Sequence, residues 1–168
     1  MSLRAFSNRA GFSPSFISQL ENGQVSPSIA SLEKIAAPLN ITLKDFFATP
    51  TEPDTPVIRA KERPSFRSSW SRAQIAALTS MGKSRPLEAL MVTLEPGGES
   101  AKHPSPLTYD QFSIVFTGIL QLTLEDELLT LRRGDAVQIS AGTRHRWHNR
   151  QRRAAQVVLV SPRVLSTG

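Results

Sequence analysis

The sequence contains no cysteine, and this absence excludes disulfide bonds and metal sites built on thiolates. It has no apolar run approaching the roughly 18 residues that a membrane-spanning helix needs. Its first residues, MSLRAFSNRA, lack the apolar stretch of a secretory signal. We therefore expect a cytoplasmic protein without a membrane partner.

Acidic residues are fewer than basic ones, 14 against 20, which gives a formal net charge of +6. A basic chain favours polyanions such as nucleic acid. The positive charge is unevenly placed, however, because residues 1–47 hold four basic and three acidic side chains. Most of the excess lies in the remaining residues, so charge alone does not locate a nucleic-acid site.

The hydrophobic pattern divides the chain into a helical part and a strand-rich part. Apolar residues first recur at helical spacing, and Ser13-Pro14 is a typical helix start. Prolines and threonines then concentrate in a short segment, after which apolar and polar residues alternate, as at Leu90, Val92 and Leu94. We predict a helical domain at 1–47, a Pro-rich linker at 48–64 and an all-β barrel or sandwich at 65–168.

The second predicted helix divides into an apolar face and an uncharged polar face. Ile17 and Leu20 occupy the apolar face, whereas Ser15, Ser18 and Gln19 occupy the other. Glutamine can pair with adenine through two hydrogen bonds, and serine can donate or accept one, so this face suits the major groove of DNA. A plain helical bundle with a polar surface is the alternative interpretation.

The run SLRAFSNRAGFSPSFISQLENGQVSPSIASLEKIAAPLNITLKDFF resembles the DNA-binding domain of XRE-family regulators, which is akin to that of the phage repressors. The resemblance implies a helix-turn-helix that contacts bases and phosphates through this motif. That family has a complete helix before the motif, whereas only Met1 and Ser2 precede Leu3 here, so we expect its first helix to be missing. The predicted DNA-binding residues are Pro14, Ser15, Ser18, Gln19, Asn22, Gln24 and Ser26.

The run GDAVQISAGTRHRWHN resembles the second signature motif of cupins, with its glycines, histidine and asparagine in register and Ser140 in place of a proline. The first cupin motif fits by the spacing of Gly98 and Gly118. Together the two motifs cover about residues 90–162. The resemblance implies a C-terminal double-stranded β-helix barrel.

Metal-dependent cupins take two histidines and a glutamate from the first motif and a histidine from the second. In this register, the four places hold Pro104, Pro106, Gln111 and His145. Proline offers no donor atom, an amide is a poor substitute for a carboxylate, and catalytic sites generally need three protein ligands. We predict no metal and no cofactor, and only His103, beside Pro104, leaves open a residual site shared with His145.

A pocket without metal remains possible inside the predicted barrel. Strand alternation places His145, Trp147 and Asn149 on one face, and apolar walls with a few polar groups suit a small molecule. His145 is either a ligand contact or a hydrogen-bonded barrel residue. The predicted effector-binding residues are Tyr109, Gln111, Phe116, His145, Trp147 and Asn149.

Five arginines cluster around the end of this last motif. A solvated loop, a surface that attracts an acidic effector or the DNA backbone, and a subunit interface are all compatible with them. The sequence leaves these three interpretations open. The arginines are Arg144, Arg146, Arg150, Arg152 and Arg153.

These features predict a two-domain protein, all-α plus all-β, that acts as a one-component transcriptional regulator. Its helix-turn-helix binds a double-stranded DNA operator, and its cupin domain senses a small molecule of unknown identity. A homodimer is expected because one half-site of an operator offers a single helix-turn-helix too little contact with DNA. The alternative is a cupin-type metal-dependent enzyme, an isomerase or dioxygenase, with a vestigial helix-turn-helix.

Overall fold

The computed structural model describes residues 3–22, 24–25, 27–39, 41, 57–68, 71–79 and 86–162. Within them, three helices precede the strands: α1 (Leu3–Ala10), α2 (Pro14–Glu21) and α3 (Ile29–Leu39). A 3-10 turn at Ala60–Glu62 follows. The strands are β1 (Ser65–Ser68), β2 (Ala73–Ala77), β3 (Leu87–Leu94), β4 (Ser105–Pro106), β5 (Gln111–Thr117), β6 (Ile119–Leu124), β7 (Glu127–Arg132), β8 (Ala136–Ile139), β9 (Arg144–His148) and β10 (Ala155–Pro162).

Helices α1 and α2 are joined by the tight turn that the sequence predicts. Gly11 has a φ of +72°, a conformation that suits glycine. Ser13 then caps α2, because its Oγ accepts a hydrogen bond from the Phe16 N–H at 3.2 Å, and Pro14 occupies the first turn. The rings of Phe12 and Phe16 stack with centroids 4.7 Å apart. Together these contacts fix where α2 begins.

Helix α3 begins with a serine cap and contributes to two parts of the core. The Ser28 Oγ accepts a hydrogen bond from the Ser31 N–H at 3.1 Å. Ile35 is buried, and α1 packs against both α2 and α3. Ile29 and Leu32, in contrast, belong to one hydrophobic cluster with the strands. The same helix therefore serves the helical domain and the β domain.

The strands form two antiparallel sheets. One has six strands in the order β1-β2-β3-β10-β5-β8, and the other has four in the order β4-β9-β6-β7. The expected cupin architecture is present, but among the described residues the strands make two sheets rather than one continuously bonded barrel. Inward side chains alternate along the strands as predicted, for example Leu90, Val92 and Leu94 on β3.

The two glycines that anchor the first cupin motif lie where the backbone is crowded. A Cβ atom at Gly98 would lie 2.6 Å from the Arg72 carbonyl oxygen. Gly118 has a φ of +79°, and a Cβ there would lie 2.7 Å from the Ala155 Cβ. Glycine at these places is thus a requirement of the fold.

Two hydrogen bonds tie the start of α3 to the β domain. The Ser68 hydroxyl, which is buried, donates to the Pro27 carbonyl at 2.9 Å. The Ala30 N–H donates to the Ser100 carbonyl at 3.5 Å, a long contact. If α3 moved away, the buried Ser68 hydroxyl would lose its partner, which costs more free energy than the hydrogen bond itself contributes. The bond from Ser68 to Pro27 therefore fixes the position of the helix.

Part of the predicted linker lies outside the described residues. Of residues 48–64, the structure describes only 57–64, which contain the 3-10 turn and lead into β1. Ser26, predicted to contact DNA, also lies outside them. In the part of the chain that the structure describes, no helix has the length and apolar character needed to cross a membrane.

We predict that Leu32→Ala lowers the free energy of unfolding by about 2–5 kcal/mol, the usual cost of truncating a buried leucine. Leu32 is 1% exposed and lies in the shared cluster. Urea denaturation followed by circular dichroism measures the change. Leu39→Ala, in the same helix but at a side chain that is 44% exposed, is the matched control. Equal effects of the two substitutions would contradict the packing of α3 described above.

Candidate functional site

Helix α2 presents its uncharged polar face outward. Ser15 and Gln19 are exposed, Ser18 is half-buried, and Ile17 is buried beneath them. Asn22 and Gln24, which follow the helix, are exposed, as is Pro14 at its start. The orientation inferred from the sequence is found in the structure, and DNA contact by these residues remains a prediction.

The polar groups on α2 differ in how far the protein itself engages them. The Asn22 amide donates to the Ser18 carbonyl at 2.9 Å, and the Ser15 and Ser13 hydroxyls lie 3.0 Å apart. Within the described residues, no hydrogen bond of the Gln19 side chain is found. Gln19 therefore has the freest donor and acceptor on this face.

A cavity of about 290 Å³ lies between α3 and the β domain. Inward-facing residues of β3 and β10 form one wall, and α3 forms the other. Of the six predicted effector-binding residues, Tyr109 and Gln111 border this cavity, whereas Phe116, His145, Trp147 and Asn149 do not. The lining residues are Ile29, Glu33, Ala36, Ala37, Ile41, Glu88, Leu90, Val92, Leu107, Thr108, Tyr109, Gln111, Leu159, Ser161 and Pro162.

Phe116 lies on the opposite face of β5 from Gln111. Gln111, Ser113 and Val115 are buried, and Phe116 is 53% exposed. Side chains alternate along a strand, so an odd separation places Phe116 outside when Gln111 is inside. This corrects the expectation that Phe116 approaches the cavity.

Trp147 and Asn149 are inward-facing, as predicted, but they serve the fold. Trp147 is part of the hydrophobic cluster. The Asn149 amide donates to the carbonyls of Leu94 and Arg153, both at 2.8 Å, and its Oδ1 accepts from the Gln151 N–H at 2.8 Å. An asparagine with three of its four hydrogen bonds made within the protein holds the turn before β10 and has little capacity left for a ligand.

His145 is a hydrogen-bonded residue of the β domain. Its side chain is 8% exposed, and its Nδ1 lies 3.1 Å from the Ser105 carbonyl oxygen. Burial lowers the pKa of the imidazole, with the Ser105 carbonyl acting in the opposite direction. A neutral ring whose Nδ1–H donates to that carbonyl satisfies both observations.

The residues at the metal places of cupins do not fit a metal ion. Pro104 and Pro106 have no donor, and the Gln111 Oε1 already accepts a hydrogen bond from the Ser113 hydroxyl at 3.3 Å. His103 is exposed. Among the described residues, no group of three or more histidine, aspartate or glutamate side chains is close enough together to hold a metal.

Two carboxylates meet at the cavity, one from each domain. Glu33 lies on α3, and Glu88 lies on β3 with 6% of its surface exposed. Burial, and secondarily repulsion from Glu88, raises the pKa of Glu33 to about 7. Neither residue was predicted from the sequence because neither belongs to a motif, although Glu88 is in phase with the inward-facing Leu90.

The arginine cluster is partly neutralised by acidic side chains. The Arg144 Nε lies 2.9 Å from Glu125, and Arg146 lies 3.7 Å from Glu99. Hydrogen bonds from the backbone and then the side chain of Arg144 lower the pKa of Glu125. Arg150, like Arg152 and Arg153, is exposed in the turn before β10. Within the cluster, this turn presents a mainly basic surface, and the three interpretations of the cluster stay open.

Comparison with known families divides the chain in the same way as the fold. Residues 1–46 match the family model described as helix-turn-helix. Residues 90–161 match the model described as cupin domain. The chain therefore carries both domains, in the order that the sequence predicts.

A curated relative matches most of the chain. The chain is 26% identical over 152 residues to the HTH-type transcriptional regulator PuuR of Escherichia coli, a match that covers 89% of this chain and 80% of the relative. Both domains fall within one continuous alignment of this length. The likeness thus extends over most of the chain.

Solved structures support the fold. A transcriptional regulator of the HTH_3 family from Vibrio cholerae superposes with a TM-score of 0.73 at 24% identity, over 96% of this chain and 86% of that one. Hydroxypropylphosphonic acid epoxidase from S. wedmorenis superposes with a TM-score of 0.55 at 17% identity, over 96% and 89%. At these identities the matches show architecture, which regulators and an enzyme share.

We predict that the protein becomes less stable as pH rises from about 4.5 to about 7, the interval between the ordinary and the raised pKa of Glu33. Burial costs the protonated carboxyl less free energy than it costs the carboxylate. The contribution of Glu33 to the free energy of unfolding is therefore complete below this interval and lost above it. The difference between the two pKa values limits the loss of unfolding free energy to about 3 kcal/mol. Residual contact of the Glu33 carboxylate with solvent makes this loss smaller.

Urea denaturation at pH 5 and pH 8 measures this pH dependence of the free energy of unfolding. The difference between the two pH values should be smaller in Glu33→Gln than in the parent protein. Among the described residues, Glu88 and Tyr109 are the other titratable groups that border the same cavity. Glu127→Gln, at an exposed position of β7, is the control. An unchanged pH profile in Glu33→Gln would contradict the assignment.

We also predict less than about one-tenth equivalent of transition metal per purified chain, because the donor set offers too few ligands. Elemental analysis measures it. One equivalent of zinc, iron, nickel or manganese that is lost in His145→Ala would contradict this prediction.

Proposed function

We infer that the chain belongs to the helix-turn-helix transcriptional regulators that carry a cupin domain, and that it acts as a one-component DNA-binding regulator. Both family models match a single chain, and the alignment with a named transcriptional regulator spans both domains. Action on DNA also favours a cytoplasmic location.

We propose that α2 is the recognition helix. In a helix-turn-helix the second helix enters the major groove and contacts base edges through its first residues. The exposed Gln19 carries this proposal, because its amide is unengaged within the described residues and can pair with adenine. Asn22 and Gln24, just after the helix, are positioned for phosphate contacts.

The β domain is proposed as the sensor of a small molecule, with the cavity under α3 as its binding site. The cavity is enclosed by apolar walls and has a few polar groups, as binding sites for small molecules do. Tyr109 and Gln111 remain candidates for effector contact. Phe116 is excluded by its outward orientation, and Asn149 because its amide is bonded within the protein and does not border the cavity.

A homodimer is proposed because a single α2 reads only one half-site. The outer face of β5 is a candidate interface, since it exposes about half of the Phe112 and Phe116 side chains, with Ile114 between them. Exposed aromatic side chains grouped on one face are typical of protein contacts. This proposal of a dimer interface does not depend on the proposal that the cavity binds a small molecule.

A metal-dependent enzyme is the second candidate function, favoured only by the fold shared with the epoxidase. The residues at the metal places argue against it, because two are prolines. We propose that the chain is not an enzyme.

We predict that Gln19→Ala weakens binding to the specific operator by about 1–3 kcal/mol and relaxes preference at one base pair, because one paired base contact is lost. Folding should be nearly unchanged at this exposed position. The operator is first obtained by selection from random duplexes with the intact protein. Fluorescence anisotropy then measures its affinity and that of single-base variants.

Gln138→Ala removes an equally exposed glutamine from β8 and serves as the control. It should leave operator affinity within experimental error of the parent. If Gln19→Ala behaves in the same way as this control, α2 is not the recognition helix.

A further inference from the structure

Exposed arginines form one surface at an end of the β domain. Arg72 lies between β1 and β2, and its Nη1 donates to the Pro96 carbonyl at 3.0 Å. The next residue, Gly97, donates its N–H to the Asn149 carbonyl at 2.9 Å, which joins Arg72 to the turn before β10. That turn carries the other arginines. The arginine surface consists of four exposed residues, Arg72, Arg150, Arg152 and Arg153.

The turn that carries three of these arginines is held by a neighbouring side chain. The Asn149 amide donates to the Arg153 carbonyl, and its Oδ1 accepts from the Gln151 N–H, both at 2.8 Å. Both partner atoms belong to the backbone, so the arginine side chains are not needed to hold the turn. Charges on a turn of fixed shape lose less conformational freedom on binding than charges on a loose loop.

Acidic side chains leave the arginine surface largely uncompensated. Arg144 and Arg146, on β9, lie 2.9 and 3.7 Å from carboxylates. In the ranges of the chain that the structure describes, no salt bridge engages any residue of the arginine surface. Glu95, exposed at the end of β3, is one nearby carboxylate against four arginines. The surface therefore keeps a net positive charge.

The arginine surface lies at the end of the β domain where α3 begins. The Ser68 hydroxyl, at the end of β1, donates to the Pro27 carbonyl just before α3. Ser71, next to Arg72, accepts a hydrogen bond from the Glu99 N–H at 2.9 Å. The start of α3 and the arginines are thus attached to the same turns of the β domain.

The connection from α2 to α3 leads toward this end. It contains Asn22 and Gln24, proposed above as phosphate contacts, and it reaches the β domain at Pro27. DNA whose phosphates contact this connection is thereby brought toward the end that carries the arginine surface.

The helical domain has little positive charge of its own for holding DNA. Residues 1–47 contain four basic and three acidic side chains, whereas the whole chain has a net charge of +6. Much of the free energy of DNA binding comes from cationic side chains that neutralise phosphates and release counterions. An interface limited to the helical domain is poor in this contribution, so another part of the chain has to supply it.

We propose that the arginine surface of the β domain binds the phosphate backbone of the DNA that α2 reads. The inference rests on the proposed function of the chain as a DNA-binding regulator, and it adds a second contact made by the sensor domain. A guanidinium group suits this contact because it pairs with phosphate through two parallel hydrogen bonds. Phosphate contacts carry no base preference, so the surface contributes affinity and α2 contributes specificity.

An acidic small molecule suits this surface less well than DNA does. Small-molecule sites are usually concave and enclosing, and the cavity of about 290 Å³ has none of the four arginines in its lining. An extended polyanion, in contrast, can contact exposed side chains without being enclosed by them.

The packing of α3 determines whether both contacts can form at once. Because α3 begins beside the arginine surface and packs against α1, its position on the β domain sets the spacing between α2 and the arginines. Two contacts with one DNA molecule strengthen binding only where the geometry allows them to form together. A ligand in the cavity beneath α3 that changed this spacing would therefore change DNA affinity.

The test compares the full-length parent with a triple variant, Arg150→Gln, Arg152→Gln and Arg153→Gln, on the selected operator. Fluorescence anisotropy measures affinity over a series of salt concentrations. Each lost phosphate contact lowers the slope of log affinity against log salt by about 0.9, so we expect a slope smaller by about 2–3 and binding at low salt weaker by about tenfold or more. The loss should be the same for the operator and its single-base variants.

Charge removed elsewhere from the β domain provides the control. Arg59 and Lys61 are exposed and precede β1, whereas Arg72 follows it. The double variant Arg59→Gln and Lys61→Gln should leave the salt slope unchanged. An equal change of slope per charge removed in the two variants would indicate a general effect of net charge and would overturn the proposal. An unchanged slope in the triple variant would also overturn it, and would favour an acidic protein or small molecule as the partner.

A probe on the turn tests contact with DNA independently of the arginines. The chain has no cysteine, so Ala154→Cys, at an exposed position beside Arg153, can carry a single iron–EDTA group. We expect this probe to cleave the operator backbone and the same probe on Ala60→Cys, in the 3-10 turn, not to cleave it. Circular dichroism verifies that both proteins are folded. Absence of cleavage from Ala154→Cys bound to the operator would contradict the proposed contact.

The same measurements separate this proposal from the proposed function. If operator binding depends on Gln19 but the triple variant binds like the parent, the arginine surface is not a DNA contact and the proposed function stands. If the triple variant has a smaller salt slope but Gln19→Ala keeps its base preference, the arginine surface stands and the assignment of α2 fails. A parent protein that binds no duplex overturns both.

Discussion

The insertion of α3 into the β-domain core is the contact on which the architecture depends. Ile29 and Leu32 bury their side chains in the same cluster as the inward faces of the strands, and each such burial is worth about 1.5–3 kcal/mol. The helix also carries Ile35, buried with the helical domain. Two domains that the sequence divides at a Pro-rich segment are thus joined through one element that precedes this segment.

This packing explains why acidic groups meet in an otherwise basic protein. Helix α3 lies opposite the inward-facing residues of β3 and β10, and Glu33 is on the part of the helix that lines the cavity between them. Glu88, which lies close to Glu33, faces inward because side chains alternate along β3.

The sequence predicted the elements better than their contacts. Period-two alternation correctly placed Leu90 and Val92 inside, and helical spacing correctly left Gln19 exposed. Periodicity describes faces within one element, however, and does not say which element covers which. The pairing of Glu33 with Glu88 across domains was consequently out of reach. The outward position of Phe116, five residues after Gln111, was predictable from alternation along β5.

The double role of α3 limits how freely this chain can exchange parts with other proteins. A DNA reader and a sensor that were joined only by a linker could be exchanged by recombination within it. Here a chimaera joined within residues 48–64 would receive a foreign α3 together with the foreign reader, and would lose the surface formed by Ile29, Leu32 and Glu33. A functional graft of new DNA specificity would instead have to replace α1 and α2 alone.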